Sequence, residues 1–138
     1  GGGADGSIAL FPAEIDFVNT DGQTPNAGLD DNLVFIDALM AHHGVSAGDA
    51  IQFASSLGLT LCPGGPTVPF FAGRPNATQI SPTNLIPTPN QDVTTILVRM
   101  EDLGFSAQQT VTLLGAHTTG DQSNVDLDNQ NQPFDSTP

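Results

Sequence analysis

The chain has 138 residues, 38% of them hydrophobic, enough for one domain with a modest core and too few for two ordinary ones. Fifteen Asp and Glu face only two strong bases, Arg74 and Arg99, which gives a formal charge of −13. Such a chain cannot neutralise phosphates, which excludes nucleic acid and anionic membrane surfaces as partners, and no apolar run approaches the length of a membrane span.

Residues 1–28 read as loop: GGGADGS, a short apolar IALF, then a stretch rich in Asn, Asp, Gly and Pro. The Gly-rich start does not read as a signal peptide. A first helix is expected over about 29–43, with Leu29, Leu33, Ile36, Met40 and His43 on one face and Gly44 as its C-terminal stop. A second runs from Ser46, as N-cap with Asp49 three residues on, to about Leu59, using Ala50, Phe53, Ala54 and Leu57. Most of the prolines lie between Pro63 and Asn90, so that region is irregular, with Phe70 to Arg74 as a short strand or tight turn. A third helix is expected from about Gln91 to Leu103, turning Val93, Ile96, Leu97 and Met100 inward. A fourth starts at Ser106, where Gln109 closes a capping box, and carries Val111, Leu114 and, near its end, His117. Residues 118–138 are polar and show no periodicity. The fold class is mainly α, and its long loops need pinning by metals, disulfides or function.

Few motifs carry chemistry. In GADGS, a Gly3 carbonyl, the Asp5 carboxylate and the Ser7 hydroxyl alternate along a turn. That is the mixed set of hard oxygens from which Ca²⁺ takes about six to eight ligands, although an ordinary turn has the same composition. His117 follows LLGA, whose small Gly115 and Ala116 leave room beside the imidazole for a flat ligand. Neutral imidazole is a common haem-iron ligand, whereas a lone helical His is more often a core or surface residue. His42 and His43 are adjacent, so they point to different helix faces and cannot share one metal. In the tail, Thr118, Asp135 and Thr137 are candidate oxygen ligands, but Asp126-Leu-Asp128 lacks the Gly and the terminal Glu of an EF-hand. Asn76-Ala77-Thr78 is an N-glycosylation acceptor. Cys62 is the single cysteine, which in an extracellular protein raises the question of its partner.

Taken in order, GGGADGS, PNAGLDD, HHGVSAGD, LCPGGP, FFAGRPNAT, LLGAH and PFDSTP closely resemble the secreted fungal class II haem peroxidases, namely the lignin, manganese, versatile and generic peroxidases. The resemblance covers essentially the whole chain. It implies an incomplete haem peroxidase fold with calcium-pinned loops, 1–138 forming the central stretch of a single peroxidase domain. It implies haem b and two Ca²⁺ as cofactors, and an extracellular, monomeric glycoprotein related to lignin degradation.

Residue by residue, His117 resembles the proximal ligand of haem iron, and Thr118, Asp135 and Thr137 resemble ligands of a proximal calcium, Thr118 standing where the family usually has Ser. Gly3, Asp5 and Ser7 resemble ligands of a distal calcium. Asn26 resembles the asparagine that hydrogen-bonds the distal histidine, and Glu14 is expected to buttress it across a loop longer than the family's. Leu113 and Phe134 fall at proximal haem-pocket positions, Pro87-Thr88-Pro89 at the haem edge, and Cys62 matches a cysteine whose disulfide partner lies outside this sequence. The family's distal Arg and His, and the Asp that hydrogen-bonds the proximal His, are not among the 138 residues. The chain is therefore read as a partial sequence, inactive by itself.

The resemblance implies a reaction in which hydrogen peroxide drives two one-electron oxidations of small donors. Where lignin and versatile peroxidases carry a surface Trp, five residues before the proximal His, this chain has Thr112. Where manganese oxidation uses an Asp, six residues after it, this chain has Ser123, with Asp121 and Asp126 nearby. Thr88 replaces an acidic haem-edge residue. The expectation is thus a generic peroxidase oxidising phenols and dyes, with manganese peroxidase as an alternative. A non-catalytic, calcium-stabilised binding protein is the rival from another class.

Overall fold

The structure is a computed structural model that describes residues 4–20, 22–118, 120–122 and 127–133. It is mainly helical and divides into two compact units, Gly1–Leu85 and Ile86–Pro138.

The first unit holds α1 (Ser7–Leu10), a 3-10 turn over Pro12–Glu14, α2 (Asp30–His43) and α3 (Ala47–Leu61). Helix α2 has Asp30 and Asp31 in its first turn and His42 and His43 in its last, the charge order that the helix dipole favours. It ends at Gly44, whose φ of 63° is left-handed and whose N–H returns to the Met40 carbonyl. Two residues later Ser46 accepts from the Asp49 N–H at 3.2 Å and starts α3. The helices α1, α2 and α3 pack on one another, and Ile36, Ala47 and Ala50 are the buried apolar residues.

The N-terminal segment lies unusually close to α3. A Cβ on Gly6 would run into the Ala47–Gly48 backbone, and a Cβ on Gly48 into the Ala4 carbonyl. Gly6 also has a φ of 74°, so only glycine suits it in both respects.

The second unit holds α4 (Val93–Asp102), α5 (Ala107–Leu114) and a 3-10 turn over Gly115–Thr118. A two-residue antiparallel ribbon then pairs β1 (Asp121–Gln122) with β2 (Gln132–Pro133), Asp121 lying opposite Pro133. Asp92 caps α4 by accepting from the Thr95 N–H at 3.0 Å. The expected capping box of α5 is complete: Ser106 Oγ accepts from the Gln109 N–H at 3.2 Å, and Gln109 Oε1 from the Ser106 N–H at 2.9 Å.

Several expectations are corrected. The first 28 residues are not all loop, since α1 and a 3-10 turn form there. Phe70 to Arg74 forms no strand; its amides turn instead to a carboxylate. Val93 is 71% and Val111 68% exposed. Val93 is only the first residue of α4, whose half-buried side is Ile96, Leu97, Arg99 and Met100, and α5 buries Thr110. In the second helix Phe53 and Leu57 are nearly half exposed. His117 lies in the 3-10 turn beyond α5, not on the helix. No helix among the described residues is long and apolar enough to cross a membrane.

Candidate functional site

Two sets of expected site residues fall in the two units. In the first unit, α1 begins inside the GADGS turn, so Asp5 and Ser7 bracket the left-handed Gly6. The Asp5 carboxylate accepts from the Ser7 N–H at 3.2 Å. The buried Ser7 hydroxyl donates to Glu14 Oε2 at 3.1 Å and lies 2.7 Å from the Ser81 hydroxyl. Glu14 is itself buried and accepts the Ser81 N–H on Oε1 at 2.8 Å. An open groove of about 220 Å³ adjoins these groups, lined by Asp5, Ser7, Gly48, Gln52 and Ser81 among others.

No three or more His, Cys, Asp or Glu converge on one metal position among the described residues. A cation here would be held by a mixed set: carboxylate, hydroxyl and backbone carbonyls. All are hard oxygens of the kind calcium takes, so the chemistry of the donors fits. Gly3, the third expected ligand, lies outside the described residues.

Asn26 sits in the turn before α2 and donates its side-chain amide to the backbone carbonyl of Glu14 at 2.8 Å. The expected pair is brought together, but through the main chain of Glu14, because its carboxylate is occupied by Ser7 and Ser81. The N–H side of the amide is thereby fixed, and Asn26 Oδ1 is left as an acceptor.

In the second unit, His117 and Leu113 are exposed neighbours at the end of α5, together with Leu114. An imidazole beside exposed leucines suits a flat apolar group with a metal at its centre, so these residues fit haem. Pro87 and Thr88 are half-buried and Pro89 is exposed. Thr118 is described only in its backbone; Phe134, Asp135 and Thr137 lie outside the described residues, as does Ser123. Cys62 ends α3 and is exposed. Asn76 is exposed, and its Oδ1 accepts from the Ala47 N–H at 2.8 Å, which ties its loop to the start of α3.

One arrangement was not foreseen. Asp49 accepts from the Gly73 N–H at 2.7 Å, the Arg74 N–H at 3.3 Å and Arg74 Nη1 at 3.0 Å. The Gly73 amide, with Arg74 beside it, holds the carboxyl below the usual aspartate range. The signal available in the sequence was Arg74 itself, one of only two strong bases in a chain this acidic.

The peroxidase family model matches residues 1–138. Versatile peroxidase VPS1 of Pleurotus eryngii is 45% identical over 139 residues, covering 100% of this chain and 36% of its own length. A peroxidase of Arthromyces ramosus is 45% identical with the same coverage, and manganese peroxidase 2 of Phlebia radiata is 44% identical over 141 residues, with 35% of its length covered. The chain thus spans little more than a third of the length of these curated relatives. With a mainly helical fold and a match along its whole length, the chain belongs to the peroxidase family, among the fungal class II peroxidases.

Proposed function

We propose that this chain is the central stretch, 1–138, of a single-domain haem peroxidase that uses hydrogen peroxide to oxidise small phenolic and aromatic donors. The observation that carries the reading is the family match over the full chain with His117 inside it. Haem, when bound, supplies the peroxide-driven redox chemistry.

The roles proposed for this chain's residues are those that the family membership implies. His117 would hold the iron through a neutral imidazole nitrogen, and Leu113, Phe134, Pro87 and Pro89 would belong to the haem pocket, as the family resemblance implies. Asn26 would accept on Oδ1 the imidazole N–H of the family's distal histidine, which is not among these 138 residues, because its amide nitrogen is committed to the Glu14 carbonyl. That hydrogen bond holds the imidazole in one tautomer and leaves its other nitrogen free to move a proton. Gly3, Asp5 and Ser7 would hold one calcium, and Thr118, Asp135 and Thr137 another. Cys62 pairs with a cysteine outside the chain, Asn76 carries a glycan, and the protein is secreted, monomeric and lignin-related.

The test is made on the full-length protein. A Soret band and dye oxidation that needs hydrogen peroxide are expected, both lost in His117→Ala. Turnover retained by His117→Ala overturns the assignment of the ligand, and the absence of any Soret band favours a calcium-stabilised, non-catalytic protein. The 44% identity to a manganese peroxidase supports Mn(II) oxidation as a second reading. Ser123, where an Asp would be required, argues against it; Mn(III) formation as fast as dye oxidation would reverse that preference.

A further inference from the structure

The Asp5–Ser7 turn is held from two sides. One side is the start of α3, which Gly6 and Gly48 allow to approach at backbone distance. The other is the segment 71–81, which crosses the same turn. The Ala77 N–H donates to the Asp5 carbonyl at 3.2 Å. The Ser81 hydroxyl lies 2.7 Å from the Ser7 hydroxyl, and its N–H binds Glu14, the acceptor of the Ser7 proton.

Three polar ties fix this segment to the first turns of α3. Gly73, at a left-handed φ of 118°, and Arg74 give both their amides to Asp49. The Arg74 guanidinium returns to the same carboxylate and also donates to the Phe71 carbonyl. Asn76 binds the first amide of α3.

We propose that segment 71–81 is a strap whose anchoring by Asp49 and Arg74 sets the calcium affinity of the Asp5–Ser7 turn, making these two positioning residues for a cation they do not touch. The proposal rests on the calcium reading of that turn. A loosened strap takes the Ala77 N–H from the Asp5 carbonyl and the Ser81 hydroxyl from Ser7, leaving Ser7 held by Glu14 alone, so the turn is less firmly ordered for binding. Groups that orient metal ligands from behind typically change affinity by about 10–100-fold when removed.

The measurement is calcium binding by the full-length protein, in stoichiometry and affinity, with Asp5→Asn as the reference that deletes this site. Asp49→Asn and Arg74→Gln are expected to weaken the same site about 10-fold or more, Arg74→Lys to recover part of the loss, and Arg99→Gln to change nothing. Ser81→Ala tests the same path from its far end, with smaller risk to folding, and is expected to weaken the site in the same direction. If Asp5→Asn leaves the stoichiometry unchanged, the calcium reading fails and takes the proposal with it. If Asp5→Asn removes a site whose affinity is untouched by Asp49→Asn, Arg74→Gln and Ser81→Ala, the strap is structural only and the proposal alone is overturned.

Discussion

Asp49 gathers three N–H donors from Gly73 and Arg74, and its carboxyl is held below the ordinary value of 3.8 mainly by the Gly73 amide. A depressed acid stabilises the fold only while ionised. Its contribution is complete above the ordinary aspartate value and disappears as the pH falls below that value through the lowered folded-state one. In acid titrations of stability, Asp49→Asn is expected to flatten this part of the curve, while Asp102→Asn, whose partner Arg99 is 3.9 Å away at the surface, leaves it alone. Equal curves for wild type and Asp49→Asn would show that the depressed carboxyl is not felt in folding. Asn76 makes a second prediction at this scale. Its Oδ1 binds the Ala47 amide, whereas a glycan on the proposed acceptor site would be carried by its nitrogen, so the two uses involve different atoms. Thr78→Ala removes only the acceptor sequence and should leave the unglycosylated protein's stability unchanged. Asn76→Ala also removes the hydrogen bond and should cost about 0.5–1.5 kcal/mol. Denaturant melts of both variants, produced without glycans, make the comparison.

Helix α3 carries two glycines with opposite demands. Gly48 faces the Ala4 carbonyl, so a Cβ there collides with backbone that cannot swing aside, whereas Gly58 has nothing within 4 Å of its would-be Cβ. Gly48→Ala is therefore expected to destabilise by about 1–3 kcal/mol, and Gly58→Ala to stabilise by up to about 1 kcal/mol through helix propensity. A Gly48→Ala melt at or above that of the wild type would contradict the close approach of Ala4 and Asp5 to α3. The same helix shows what sequence reading reaches. Ser46 as its cap, like the Ser106–Gln109 box of α5, was legible because capping depends on residues three apart. Asp49 reads locally only as the residue three on from Ser46, and its N–H does bind Ser46, but local logic gives no hint that its carboxylate reaches residues 24 and 25 positions away. The Glu14–Ser81 contact spans 67 residues, and no periodicity announces it. Helix α1 escaped notice for a different reason. Its four residues follow a left-handed glycine with no side-chain cap, so it is held by packing on α3 rather than by a signal of its own.

At the scale of the molecule, the chain carries part of what peroxide chemistry requires. Of its three histidines, His42 and His43 are exposed neighbours at the end of α2 in the first unit, and His117 follows α5 in the second. Neither Arg74 nor Arg99 has a histidine four residues on, so the 138 residues contain no Arg-x-x-x-His pair with which to move a proton between peroxide oxygens and stabilise the departing charge. Ligation and proton transfer are separable demands: under the proposed reading His117 would meet the first, and the 138 residues hold no such pair for the second. A positioned general acid–base group is typically worth about 10²–10⁴ in rate. The 138-residue polypeptide, supplied with haemin, is accordingly expected to show any Soret shift through His117, lost in His117→Ala, while oxidising dyes at least about 10²-fold more slowly than the full-length protein. The comparison needs only a dye assay at matched haem concentration. Turnover by the polypeptide close to the full-length rate would mean that a group within these residues moves the proton. His43 would then be the first to substitute, because it lines an apolar groove of about 360 Å³ with Phe53 and Phe70 that could admit a small aromatic donor.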